Sequence, residues 1–235
     1  MTDTTGGEVS DREAALFLAI KTQDGALLRQ LVRADPALLS VRSPMGVSPV
    51  LFATYYGRHD MARVLMDEGA PLDVFEAAAV GDEQGVTRAL EADPALLHAV
   101  SADGFSPLGL AAFFGRAAVA ETLLARGADV NAVSRNAMQV RPLHSAVAGG
   151  HGALARALVM AGADVNAAQQ DDFTPLMAAA QNGDAGLVTF LRQCGADAQA
   201  RTADGRGAAD FAREEGHEAL AEALARPWPD GVADQ

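Results

Sequence analysis

The chain has 235 residues, 49% hydrophobic and 21% charged, a balance that supports an ordered, soluble fold and excludes a disordered polyelectrolyte. Its formal net charge of −13 works against phosphate backbones, whose affinity comes from Lys and Arg releasing counterions, so generic nucleic-acid binding is excluded. No apolar run approaches the ~20 residues a bilayer demands, and no basic region followed by an apolar core opens the chain; no membrane is expected, and the location expected is cytoplasmic.

Residues 1–9 are small, polar and Gly-rich, and read as an N-terminal tail. Ser10 to Glu13 has the form of a capping box, which starts a first helix over 11–22; it ends at Gln23 where later copies carry glycine. Asp-Pro-Ala-Leu-Leu follows at 35–39 and recurs at 93–97, an offset of 58 that points to an older duplication. Ser48-Pro49 opens a second unit, whose first helix, over 48–56, ends in Tyr55-Tyr56-Gly57. Pro costs nothing at the first helical position, since that N–H would be unpaired, and the serine hydroxyl caps the freed donors. Gly-Ala-Pro-Leu-Asp-Val at 69–74 then runs straight into a third helix over 72–80, so a projecting loop is expected to be missing there.

The next units are the most regular. Ser106-Pro107-Leu108 leads through Ala111-Ala112 and Phe113-Phe114 to Gly115, then Leu123-Leu124, then GADVNA from Gly127 to Ala132. Arg141-Pro142-Leu143-His144 leads to Gly150-His151 and a second GADVNA at 162–167, and Thr174-Pro175-Leu176 leads to Gly183 and Gly195-Ala196-Asp197. Inner helices are predicted over 106–114, 141–149, 174–182 and 207–215, the last opening on Gly207-Ala208 and closing with Glu214 and Glu215 as a polar end cap. Residues 227–235 read as a C-terminal tail, with the Trp228 ring expected to fold back on the terminal unit.

From Gly81 to Gly115, Gly150, Gly183 and Gly216 the interval is 33 to 35 residues, the period of a solenoid of two-helix units. Paired alanines keep one helix of each unit thin, the glycine turns the chain, and a Leu-rich second helix supplies the apolar stripe.

On these residues the chain resembles the ankyrin-repeat family over roughly residues 10–226, taken as the domain. The resemblance implies an all-α solenoid of about seven helix-turn-helix repeats with short hairpin loops, acting as a non-catalytic protein-binding scaffold. The hydrogen bond that His144 makes in the family is put in doubt by Arg141, which replaces a hydroxyl; His151 and His217 fall where the family uses histidine structurally.

No phosphate-cradling loop, zinc motif or nucleophile elbow occurs, and Cys194 is alone, so no catalytic residue, metal or cofactor is expected. The single lysine, Lys21, against seventeen arginines points to a GC-rich, bacterial coding genome. The family architecture turns the two residues before each inter-helix glycine into a concave groove. They include Tyr55, Tyr56, Phe113 and Phe114, with the small Ala79-Val80 between, which predicts an apolar trough with aromatic walls. Val47, Phe105, Val140 and Phe173 precede the helix-opening step and extend the candidate patch along the hairpin tips. Two readings stay open: the rings meet a partner protein, or they pack between repeats. Beside the scaffold stand two alternatives, a small-molecule or enzymatic pocket in the trough and a homo-oligomer built through the patch; a monomer is expected.

Overall fold

The computed structural model describes residues 11–226, which hold fourteen α-helices and no strand. They follow as seven pairs: α1 (Asp11–Thr22) with α2 (Gly25–Ala34), α3 (Pro49–Tyr55) with α4 (His59–Asp67), and α5 (Val74–Val80) with α6 (Glu83–Ala92). After them come α7 (Pro107–Phe113) with α8 (Ala117–Ala125), α9 (Pro142–Ala148) with α10 (Gly152–Met160), α11 (Pro175–Gln181) with α12 (Ala185–Gln193), and α13 (Ala208–Glu214) with α14 (Glu218–Ala225). Each odd-numbered helix packs on the next, so the short helices form one layer and their partners a second. The tails, Ser10 of the opening cap and Trp228 lie outside the described residues.

Local chemistry sets the helix starts. The hydroxyls of Ser48, Ser106 and Thr174 accept from the N–H groups of Leu51, Gly109 and Met177 at 3.1, 3.0 and 3.4 Å. Arg141 makes no such bond. At α5 the cap is Asp73, which with Glu76 forms a full capping box, so this helix starts two residues later than its sequence pattern indicates. The two Asp-Pro-Ala-Leu-Leu segments fold alike into 3-10 turns, Pro36–Ser40 and Pro94–His98, capped by Asp35 and Asp93. Gln23 stands in for the missing first glycine and takes the same left-handed conformation, φ 62°.

Hairpin loops project beside the short helices as five fingers, at 43–47, 101–105, 134–140, 169–173 and 202–206, each closed by a backbone bond between its first and last residues. Neighbouring fingers are zipped by one further backbone bond: Arg135 N–H to Gly104 O, Gln170 N–H to Met138 O, and Ala203 N–H to Asp171 O. Between α4 and α5 the chain passes directly from Gly69 to Asp73 and no finger forms. Fingers 1 and 2 therefore become neighbours, and among the described residues no backbone bond joins them. Glu76, 2% exposed, occupies this gap and pairs with Arg42 of the preceding loop at 3.0 Å. Buried apolar side chains form two clusters, one from α1 to α5 and one from α5 to α14, which meet at α5 and α7.

Candidate functional site

The aromatic residues lie over that meeting point. Apart from Ala79, which is fully buried, the two residues before each inter-helix turn are half-buried or exposed. Tyr55, at the end of α3, reaches across the third repeat to Phe114 and Phe113, with ring centroids 5.2 and 6.2 Å apart. Phe113 and Phe114 pack edge to face at 5.0 Å. The expectation of two aromatic walls with a trough between them is corrected here: Ala79 and Val80 are too small to hold the rings apart, and the rings meet. All three are half-buried. Ring pairs of this kind contribute about 0.5–1.5 kcal/mol beyond their area.

Tyr56 diverges from Tyr55, as successive helical residues must. It is 44% exposed, its ring lies 4.5 Å from Phe52, and the Lys21 ammonium sits 5.3 Å from its centroid. Phe52 in turn packs on Phe17 at 4.8 Å. Beside these rings is an apolar depression of about 410 Å3, lined by Met45, Val47, Tyr55, Tyr56, Asp103 and Phe105. Phe105 is half-buried, and Met45 on finger 1 is 63% exposed. Two hydroxyls converge on Asp103: Tyr55 donates to its Oδ2 and Ser101 to its Oδ1. Burial first, then the bond to Asp103, pushes the Tyr55 phenol far above its usual range and keeps it a donor.

The remaining tip residues do not extend one continuous patch. Val47 is only 3% exposed and forms the floor of the depression. Val140 is 8% exposed and faces inward, its N–H donating to the Ser134 hydroxyl at 2.8 Å. Phe173 packs edge to face on Phe211 at 4.9 Å in a second cleft of about 580 Å3, with Met138, Gln181, Asp204 and Arg206. Sequence reasoning passed over Met45 and Asp103. A signal for Asp103 existed in the likeness of Ser101-Ala102-Asp103-Gly104 to Thr202-Ala203-Asp204-Gly205.

The histidines and the asparagines of GADVNA tie repeat to repeat. His151 Nε2 lies 3.0 Å from Phe113 O, and the Arg116 guanidinium makes the equivalent bond to Ala79 O at 2.8 Å. The Asn131 side chain donates to Gly162 O and accepts from Asp164 N–H, and Asn166 repeats both bonds to Gly195 and Asp197. His144, 2% exposed, has Nε2 at 3.3 Å from Phe173 O, while Nδ1 has no hydrogen-bond partner. Burial lowers the His144 pKa to about 4, so the ring is neutral. Among the described residues no three His, Cys, Asp or Glu side chains gather as metal ligands would.

A family model for ankyrin repeats, in three copies, matches residues 74–169 and 143–231, more than half of the chain. The chain is also similar to neurogenic locus notch homolog protein 2 of Homo sapiens and of Mus musculus, each 32% identical over 177 residues. The aligned part is 74% of this chain, and the chain spans about 7% of the length of either relative.

Proposed function

The chain belongs to the ankyrin-repeat family, and on that premise we propose that it is a non-catalytic scaffold whose concave face binds a partner protein. Ankyrin repeats generally mediate protein–protein interaction. In this reading residues 10–226 are the binding domain, and Tyr55, Tyr56, Phe105, Phe113 and Phe114 form the contact surface, with Val47 supporting it from beneath. The observation that carries it is the pairing of Tyr56 at 44% and Met45 at 63% exposure over one apolar depression. Large apolar side chains left in water around a concavity are the usual anchors of an interface. The exposed acids Asp171, Asp172, Glu214 and Glu215 toward the other end favour basic groups on the partner there.

Capture from cells of the source organism, with the chain and its Tyr56→Ala and Phe105→Ala variants as baits, tests the proposal. A protein retained by the native chain and lost from both variants supports it; a protein retained equally by all three baits overturns it. The depression also falls within the roughly 300–1,000 Å3 of small-molecule sites, which favours a ligand as second reading; a metabolite that raises the thermal midpoint only when Tyr56 and Phe105 are intact would replace the first. A cytoplasmic location belongs to the same proposal and is checked by cell fractionation. Among the described residues no helix is long and apolar enough to cross a membrane.

A further inference from the structure

Fingers 2 and 5 are built on one plan. In both, a hydroxyl residue, an alanine, an aspartate and a glycine precede the closing residue: Ser101-Ala102-Asp103-Gly104-Phe105 and Thr202-Ala203-Asp204-Gly205-Arg206. In both, the hydroxyl donates to Oδ1 of the aspartate and also accepts from the N–H of the closing residue. The closing residue differs. In finger 5 it is Arg206, whose Nε donates to Asp204 Oδ2 at 2.8 Å while its guanidinium lies 4.5 Å from the Phe211 ring centroid. In finger 2 it is Phe105, and Oδ2 of Asp103 receives only the neutral Tyr55 hydroxyl.

Finger 5 thus carries its own cation, held between a carboxylate and an aromatic ring, whereas the carboxylate of finger 2 has no cation beside it; the nearby Lys21 ammonium faces the Tyr56 ring instead, 5.3 Å from its centroid. Asp103 makes no ion pair among the described residues. Two arginines line clefts that Asp103 also borders: Arg42 is committed to Glu76, and Arg135, on the neighbouring finger 3, makes no ion pair with Asp103. The other five residues lining the 410 Å3 depression are Met45, Val47, Tyr55, Tyr56 and Phe105, none of them charged. A carboxylate oxygen accepts more than one hydrogen bond, so Oδ2 takes a second donor without giving up Tyr55. Aromatic faces next to a carboxylate favour a weakly hydrated, planar cation, which is arginine rather than lysine.

We propose that the partner segment sets an arginine against Asp103 of finger 2, supplying from outside the cation that Arg206 supplies within finger 5, and places an adjacent apolar side chain in the depression between Met45, Tyr56 and Phe105. The inference rests on the partner-binding reading above and adds the chemistry of the bound segment.

The test selects short random displayed peptides on the immobilised full chain and on its Asp103→Asn, Asp103→Lys and Tyr56→Ala variants, each first checked by its thermal midpoint. The native chain is expected to enrich peptides in which arginine neighbours an apolar residue. The best such peptide should lose about tenfold in affinity when citrulline replaces its arginine, and as much again on native peptide with Asp103→Asn. Asp103→Lys should enrich acidic peptides instead. Peptides that need Tyr56 but show no cationic preference, or that ignore Asp103→Asn, overturn this inference and leave the partner-binding surface standing. Failure to enrich any Tyr56-dependent peptide overturns both. Self-association of the native chain that disappears with Asp103→Asn would make a second copy the occupant and would also overturn it.

Discussion

The Tyr55 hydroxyl donates to Asp103 Oδ2, and this one bond joins α3 to finger 2 across the position where a finger is missing. The phenol is half-buried, and burial and the bond to Asp103 push its pKa upward, so it stays protonated and donates at neutral pH. Tyr55→Phe removes the donor, keeps the ring against Phe114, and leaves the carboxylate with one hydroxyl partner fewer. We expect a loss of about 1–2 kcal/mol in urea unfolding. An unchanged midpoint would mean that water replaces the phenol at no cost.

Within the aromatic cluster, packing and presentation divide between residues. Phe113→Ala and Phe114→Ala should each destabilise by about 1–3 kcal/mol, because both rings are half-buried and share contacts with Tyr55. Tyr56→Ala should cost under about 1 kcal/mol, as the ring stands 44% in solvent. Thermal midpoints of the three variants check the order; a Tyr56 effect as large as that of Phe113 would place it in the core.

His144 gives stability a defined pH dependence. Its folded pKa, about 4, lies below the ordinary value of 6.5, so the unfolded chain binds the proton more readily. The contribution is complete above pH 6.5 and is lost as pH falls from 6.5 toward 4, with a total of about 3 kcal/mol. Urea midpoints measured from pH 7 to pH 5 should fall in the native chain and fall less in His144→Gln. Glu76, whose burial pushes its carboxyl upward, works in the opposite direction in both proteins and cancels in the comparison.

Two glycines with the same left-handed backbone should respond differently to alanine. At Gly115, φ 67°, a Cβ would come within 2.5 Å of the His151 ring, which is held to Phe113 O. At Gly57, φ 65°, nothing lies within 4 Å. Gly57→Ala should therefore cost only the backbone strain, about 1–2 kcal/mol, and Gly115→Ala clearly more. Equal losses would show that the His151 ring moves aside freely.

The helix pairs were legible because their signals are local. Ser or Thr before Pro, the alanine pair and the turning glycine each act within a few residues, and even Gln23 was placed at its turn by the copies that followed. Which apolar tips reach solvent was not legible. Val47, Phe105, Val140 and Phe173 occupy one sequence position, yet two are buried and two half-buried, because the cover over each tip comes from residues distant in sequence. Met45 on finger 1 and Met138 on finger 3 are both exposed, although only finger 3 is bonded to its neighbours. Asp103 was hidden for a related reason: its role depends on Tyr55, 48 residues earlier in the chain.

The missing finger also has a mechanical meaning. In a linear array each repeat leans only on its neighbours, and cooperativity passes along the line through their interfaces. Here the line of finger bonds is interrupted between repeats two and four, at the place where the two apolar clusters abut. We expect the interruption to make this the joint at which the repeats on either side part most readily. Anything seated across Met45, Tyr56, Phe105 and Asp103 grips both sides of the joint, so occupancy registers as slower amide exchange throughout α1 to α4, well beyond the residues touched.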